Sequence, residues 1–141
     1  MIRWIALLAV MFAPVAQAEQ AEKFGNLEVH YNAMLSTDLL PEVAKNYKID
    51  RSPTRGIVTI SVLRKNAMGA TQPIAAGLSA YLVNPSNQLG HIAMREIREG
   101  SAIYYLGEFR VVPPTTLRFT VTVEIAGEPR REVHFSQKFY K

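Results

Sequence analysis

Residues Thr115 to Ile125 constrain what this chain can become more than any other stretch. Leu117, Phe119, Val121, Val123 and Ile125 alternate there with Arg118, Thr120, Thr122 and Glu124. Successive side chains of an extended chain point to opposite sides, so this period of two predicts a strand with one buried face. Nothing of comparable clarity marks a catalytic or cofactor site.

The same signal recurs along the chain. After a polar lead from Glu19 to Gly25, Leu27, Val29 and Tyr31 alternate with Glu28, His30 and Asn32 and predict a first strand. Gly56 to Leu63 is a β-branched run, apolar on nearly both faces, and predicts a central strand. Arg64 to Pro73 is expected to be a polar loop. Further strands are predicted over Ile74 to Val83, Leu89 to Glu99 and Ala102 to Val112, with Asn84-Pro85-Ser86-Asn87 and Glu99-Gly100-Ser101 as turns. Pro113-Pro114 removes two backbone donors, so the chain must leave its sheet before Thr115. Gly127-Glu128-Pro129 then separates that stretch from a last strand, Arg131 to Tyr140, expected to pair with it as a hairpin.

Seven short strands, each closed by a turn, predict an all-β fold: an antiparallel immunoglobulin-like β-sandwich with one short helix. A closed β-barrel is the alternative, because periodicity does not distinguish the two.

The start of the chain reads as an address label. Arg3 precedes a twelve-residue apolar run from Trp4 to Val15, and Ala16-Gln17-Ala18 supplies a small-residue cleavage site. Residues 1–18 are therefore expected to be a signal peptide cut after Ala18, leaving one domain over 19–141. The apolar run is shorter than the roughly 20 residues a membrane helix needs, and no later segment approaches that length, so a soluble periplasmic protein is expected. With no cysteine, the chain carries neither a thioether lipid anchor nor a disulfide, and its fold must rest on packing. Without Arg3, fifteen Lys and Arg face twelve Asp and Glu, a diffuse +3 that gives nucleic acid no basic patch.

Candidate chemistry is sparse. His30, His91 and His134 fall on or near three strands, none at the two-to-five-residue spacing of zinc pairs, so no metal site is expected. Gly77-Leu78-Ser79-Ala80-Tyr81 begins like a nucleophile elbow, but its fifth residue is Tyr81 and it lies within a strand. The pairs Glu96 with Glu99 and Glu124 with Glu128 occupy polar strand positions or turns, as solvated carboxylates do. No phosphate-cradling glycine motif occurs, so no catalytic residue and no cofactor are assigned.

The segment 33–55 stands apart. Pro41 opens a predicted helix to Tyr47, with Leu40, Val43, Ala44 and Tyr47 on one face, and Arg51-Ser52-Pro53-Thr54 reads as a turn. Excursions of this length from a compact sandwich are usually functional. The candidate binding residues are Asn32, Glu42, Tyr47, Arg51 and Arg55; the two arginines suit bidentate capture of a carboxylate or phosphate. The plain alternative is that the segment caps an open end of the sandwich, with its arginines satisfying carbonyls and Glu42.

The words His30-Tyr31-Asn32-Ala33, Leu40-Pro41-Glu42-Val43-Ala44, Tyr47, Ile49, Arg51-Ser52 and Arg55-Gly56 resemble a family of small exported proteobacterial proteins classed as a domain of unknown function. The likeness covers most of the chain after the leader and is strongest between His30 and Gly56. It implies an all-β periplasmic domain and brings no activity with it.

Three functional classes follow. The first is a non-catalytic binding module that takes an envelope protein or an anionic small molecule through the Asn32 to Gly56 face. The second is an envelope hydrolase with a His and carboxylate site. The third is a self-associating or chaperone-like protein, monomeric or weakly homo-oligomeric, acting through a sheet edge such as the aromatic-rich fifth strand or the last one.

Overall fold

A computed structural model describes residues 20–140. The expected leader and its cleavage site lie outside the described residues. Among those described, the strands are β1 (Gln20–Phe24), β2 (Leu27–Leu35), β3 (Arg55–Lys65), β4 (Thr71–Pro73) and β5 (Gly77–Val83), followed by β6 (Leu89–Ile92), β7 (Met94–Glu99), β8 (Ala102–Arg110), β9 (Thr115–Glu124) and β10 (Arg131–Phe139). A 3₁₀ turn (Ser36–Asp38) and one helix, α1 (Pro41–Asn46), stand between β2 and β3.

Two antiparallel sheets face each other. One has the order β1-β2-β3-β8-β7, with β4 paired to the far end of β3, and the other has the order β10-β9-β5-β6. Setting β1 and β4 aside, these orders match the A-B-E-D and G-F-C-C′ sheets of an immunoglobulin-like sandwich. Both sheets end in open edges, so the barrel is not formed. The expected hairpin between the last two strands is present, from Arg131↔Val123 to Phe139↔Thr115. β3 lies between β2 and β8, as its two apolar faces implied.

The described residues form ten strands rather than seven, for two physical reasons. β1 and β4 are mostly exposed edge pieces and lack the apolar alternation that reveals a half-buried strand. The stretch from Leu89 to Glu99 divides at Ala93, with β6 pairing β5 in one sheet and β7 pairing β8 in the other. Its alternation runs through the crossing unchanged, so the pattern conceals it. Gly107 makes room there: a Cβ on it would stand 2.4 Å from Ile92 Cγ2 and 2.6 Å from Met94 Sδ. The predicted fifth strand, observed as β8, is interior and offers no edge, whereas β10 is an edge.

Between the sheets the core is aromatic. Phe119, 1% exposed, stacks on Phe135 at 4.9 Å and meets Phe109 edge-on at 5.1 Å, and Phe135 stacks in turn on Tyr31 at 4.4 Å. Gly56 lets β3 approach this group, since a Cβ there would lie 2.2 Å from the Phe109 ring.

The excursion lies on the outer face of the first sheet. Ala44 and Ile49 are buried against Ile57 and Leu106, with Leu39, Tyr47 and Ile97 at the fringe. Pro41 occupies the first helical turn, where its missing N–H costs nothing. The helix ends with Lys48 at φ 57, while the Ile49 N–H donates to the Ala44 carbonyl at 2.8 Å and the Lys48 N–H to the Lys45 carbonyl at 3.2 Å. That is a Schellman cap, which brings Ile49 back onto Ala44. Leu40 is 70% exposed rather than on the packed face, because it is the extended N-cap residue and does not follow the helical period. No helix among the described residues is long and apolar enough to cross a membrane.

Candidate functional site

The outward positions of four neighbouring strands form a floor. β2 contributes His30 and Met34, β3 contributes Ile57, Thr59 and Ser61, β8 contributes Tyr104 and Leu106, and β7 contributes Ile97 and Glu99. Leu39, Val43 and Tyr47 of the excursion form the opposite wall. The space between is a cleft of about 260 Å³ with mostly apolar walls.

Polar groups sit at defined places in it. Thr59 and Ser61 are half-buried on the floor, and Ser61 stands directly opposite His30 in the β2–β3 ladder. His30 Nε2 lies 3.2 Å from Glu28 Oε2. At the rim the Tyr47 hydroxyl donates to Glu99 Oε1 at 2.5 Å, and the Arg95 guanidinium donates to the Tyr47 carbonyl. The end of α1 is thereby tied to β7. The hydrogen bond to Glu99, followed by partial burial, holds the Tyr47 phenol above its ordinary pKa.

The five expected binding residues separate in space. Tyr47 lines the cleft. Asn32, opposite Thr59 in the ladder, borders a larger groove of about 730 Å³ between β2 and β10. Glu42 is exposed in the first turn of α1. Arg51 is exposed and donates through Nη2 to the Thr37 carbonyl at 2.8 Å, which closes the excursion on itself. Arg55 donates through Nη1 to Glu108 Oε1 at 3.2 Å.

Sequence reasoning missed Thr59, Ser61, Tyr104 and Glu99 as neighbours. The available signal was the apolar outward row itself: Ile57 and Leu106 face away from the sandwich, so something had to cover them.

The remaining candidates disperse. His91 is exposed on β6, and His134, on β10, contacts the Thr120 hydroxyl through Nδ1 at 3.0 Å. Among the described residues no group of three or more His, Cys, Asp and Glu side chains comes together. The paired carboxylates serve different partners: Glu124 accepts from Arg130, Glu128 accepts at both of its oxygens from Arg64 Nη2 at 2.7 Å, Glu96 accepts from Arg98, and Glu99 from Tyr47.

The family model described as a domain of unknown function, DUF4426, matches residues 21–141. The chain belongs to the DUF4426 family. A crystal structure of a DUF4426 family protein from Pseudomonas aeruginosa PAO1 is similar at 30% identity, over 89% of this chain and 97% of that one, with a TM-score of 0.75. Two structures of FetP from uropathogenic Escherichia coli strain F11 are also similar. A copper-bound variant has 14% identity over 86% of this chain and 94% of its own, with a TM-score of 0.61. The as-isolated protein, expressed in the periplasm, has 13% identity over 86% and 93%, also at 0.61. At those identities the FetP likeness concerns the fold alone. No curated protein matches the chain. Within the DUF4426 fold, the words that carry the family resemblance include His30, Val43 and Tyr47, three residues of the cleft.

Proposed function

We propose that this DUF4426 chain is a non-catalytic binding module of the cell envelope, and that the cleft beneath the excursion is its ligand site. The observation that carries the reading is the composition of the cleft: apolar walls from α1 and four strands around a few hydroxyls. Small-molecule sites combine apolar area for affinity with sparse polar groups for orientation. At about 260 Å³ the space suits a small, largely apolar or aromatic molecule bearing one hydrogen-bonding group. Arg51 supports the site from behind, since its grip on Thr37 helps hold the segment that presents Leu39. The envelope location rests on the leader-like residues 1–18, and expression of the similar FetP in the periplasm agrees with it.

Indole tests the reading. Titrated into the isotope-labelled protein, it is expected to move the amide resonances of Thr59, Ser61 and Leu106 saturably, with a Kd of roughly 1 mM. Ser61→Phe fills the floor and should abolish those shifts while the protein stays folded. Unchanged shifts in that variant, or none in the wild type, would remove the cleft as a ligand site.

A further inference from the structure

Another depression, of about 450 Å³, lies where the excursion feeds into β3, lined by Ser52, Thr54, Arg55, Glu108, Phe109 and Arg110. It shares no lining residue with the cleft. We propose that it is an oxyanion site that takes a phosphate group, with Arg55 and Arg110 as its two arms.

Arg55 and Arg110 are direct partners in the β3–β8 ladder. The Val111 N–H donates to the Thr54 carbonyl at 3.0 Å just beyond them, which marks the pair as the non-hydrogen-bonded kind whose side chains approach most closely. Like charges placed directly opposite each other oppose folding. The local acids offset this only in part. Glu108 Oε1 and Asp50 Oδ2 lie 3.2 and 3.9 Å from the same atom, Arg55 Nη1, which leaves the other Arg55 nitrogens available. Arg110 is exposed, and no carboxylate among the described residues lies within ion-pair distance of it. A guanidinium carries five N–H donors in a planar fork that matches phosphate oxygens.

The hydroxyls beside this pair are preset. Ser52 Oγ and Thr54 Oγ1 are 3.1 Å apart, and the Thr54 N–H donates to Ser52 Oγ at 3.2 Å. The turn is anchored to fully buried Ser36, whose Oγ accepts the Ser52 N–H at 2.8 Å and donates to the Ser52 carbonyl at 2.9 Å. Two guanidinium forks and two hydroxyls on an anchored turn suit a tetrahedral oxyanion, and its negative charge relieves the opposed pair. A phosphate bound here therefore gains from a repulsion that the unliganded fold already carries.

The test uses inorganic phosphate at constant ionic strength, read by amide shifts and by thermal melting of the full chain. The wild type should show saturable shifts at Ser52, Thr54, Arg55 and Glu108 to Arg110, and phosphate should raise its Tm. Arg110→Gln should weaken binding about tenfold, the worth of a charge-assisted hydrogen bond, yet leave Tm unchanged or higher in phosphate-free buffer. A merely structural Arg110 gives the reverse, a lower Tm with binding intact, and that result overturns the proposal. Asp50→Asn removes an exposed competing acid and should tighten binding about twofold. Co-sedimentation with phosphatidylglycerol vesicles, competed by free phosphate and lost in Arg110→Gln, would identify a lipid headgroup as the source; phosphate binding without vesicle binding would identify a free phosphate or small phosphate ester. Unsaturable shifts, or identical ones in the wild type and Arg110→Gln, overturn the site.

Discussion

Two apolar clusters form among the described residues, one between the sheets and one outside them, and they are built to different standards. Between the sheets, rings from both sides interlock: Phe119 touches Phe109, Phe135 and Phe139, and Val29, Val58, Val62, Val121 and Val133 are fully buried. Outside, Ile57 and Leu106 are covered by Ala44 of a six-residue helix and Ile49 of its flanking loop, and the cover leaves a cleft of about 260 Å³. Two sheets can mesh along their whole length because side chains alternate with the same period on both. A short helix laid on a sheet matches it only locally, so gaps persist at its sides. Close packing stabilises the inner cluster, and imperfect packing leaves an open cleft beside the outer one.

This contrast can be broken in order of effect. Phe119→Ala removes the ring that joins the two sheets and should cost about 4 kcal/mol in urea unfolding, with the whole molecule losing stability together. A loss confined to one region would show that the sheets do not share one core. Ile49→Ala truncates the outer cluster at its Schellman cap and should cost about 2 kcal/mol, the low end for such changes because its surroundings can settle. Amide exchange should then rise across residues 36–54 while β9 and β10 keep their protection. Equal acceleration everywhere would mean that the excursion is part of the main core.

The smallest effect sharpens the comparison at the rim. Tyr47→Phe keeps the ring and loses the hydrogen bond to Glu99, costing about 0.5 kcal/mol at neutral pH after discounting for solvent screening. Its pH dependence is more telling. The folded pKa of Tyr47 is raised, chiefly by that bond, so the contribution is fully present below the unfolded value of about 10. It is lost as pH rises through the higher folded value. The stability advantage of the wild type over Tyr47→Phe should therefore disappear only at strongly alkaline pH, and a loss near neutrality would contradict the assignment.

Much of the fold was legible in residue order. The Thr115 to Ile125 alternation, the β-branched Gly56 to Leu63 run and the Pro113-Pro114 break correspond to β9, β3 and the passage from one sheet to the other. Pro41 marked the helix start to the residue. The failures have specific causes. β1 and β4 carry no buried face to generate a pattern, and the switch at Ala93 preserves the alternation on both sides. Of the expected binding residues, Tyr47 entered the cleft because it lies on the helix face that packs. Arg51 and Arg55, four apart in sequence, turned to different partners because one belongs to the loop and the other begins a strand.

Local order thus determined which segments are strands, where a helix begins and that no disulfide holds them, because alternation, proline and composition act on immediate neighbours. Which strands share a sheet, what covers Ile57 and Leu106, and the meeting of Arg55 with Arg110 were decided only by the tertiary structure. Antiparallel register brings distant residues into opposition, and no local rule of side-chain period contains that information.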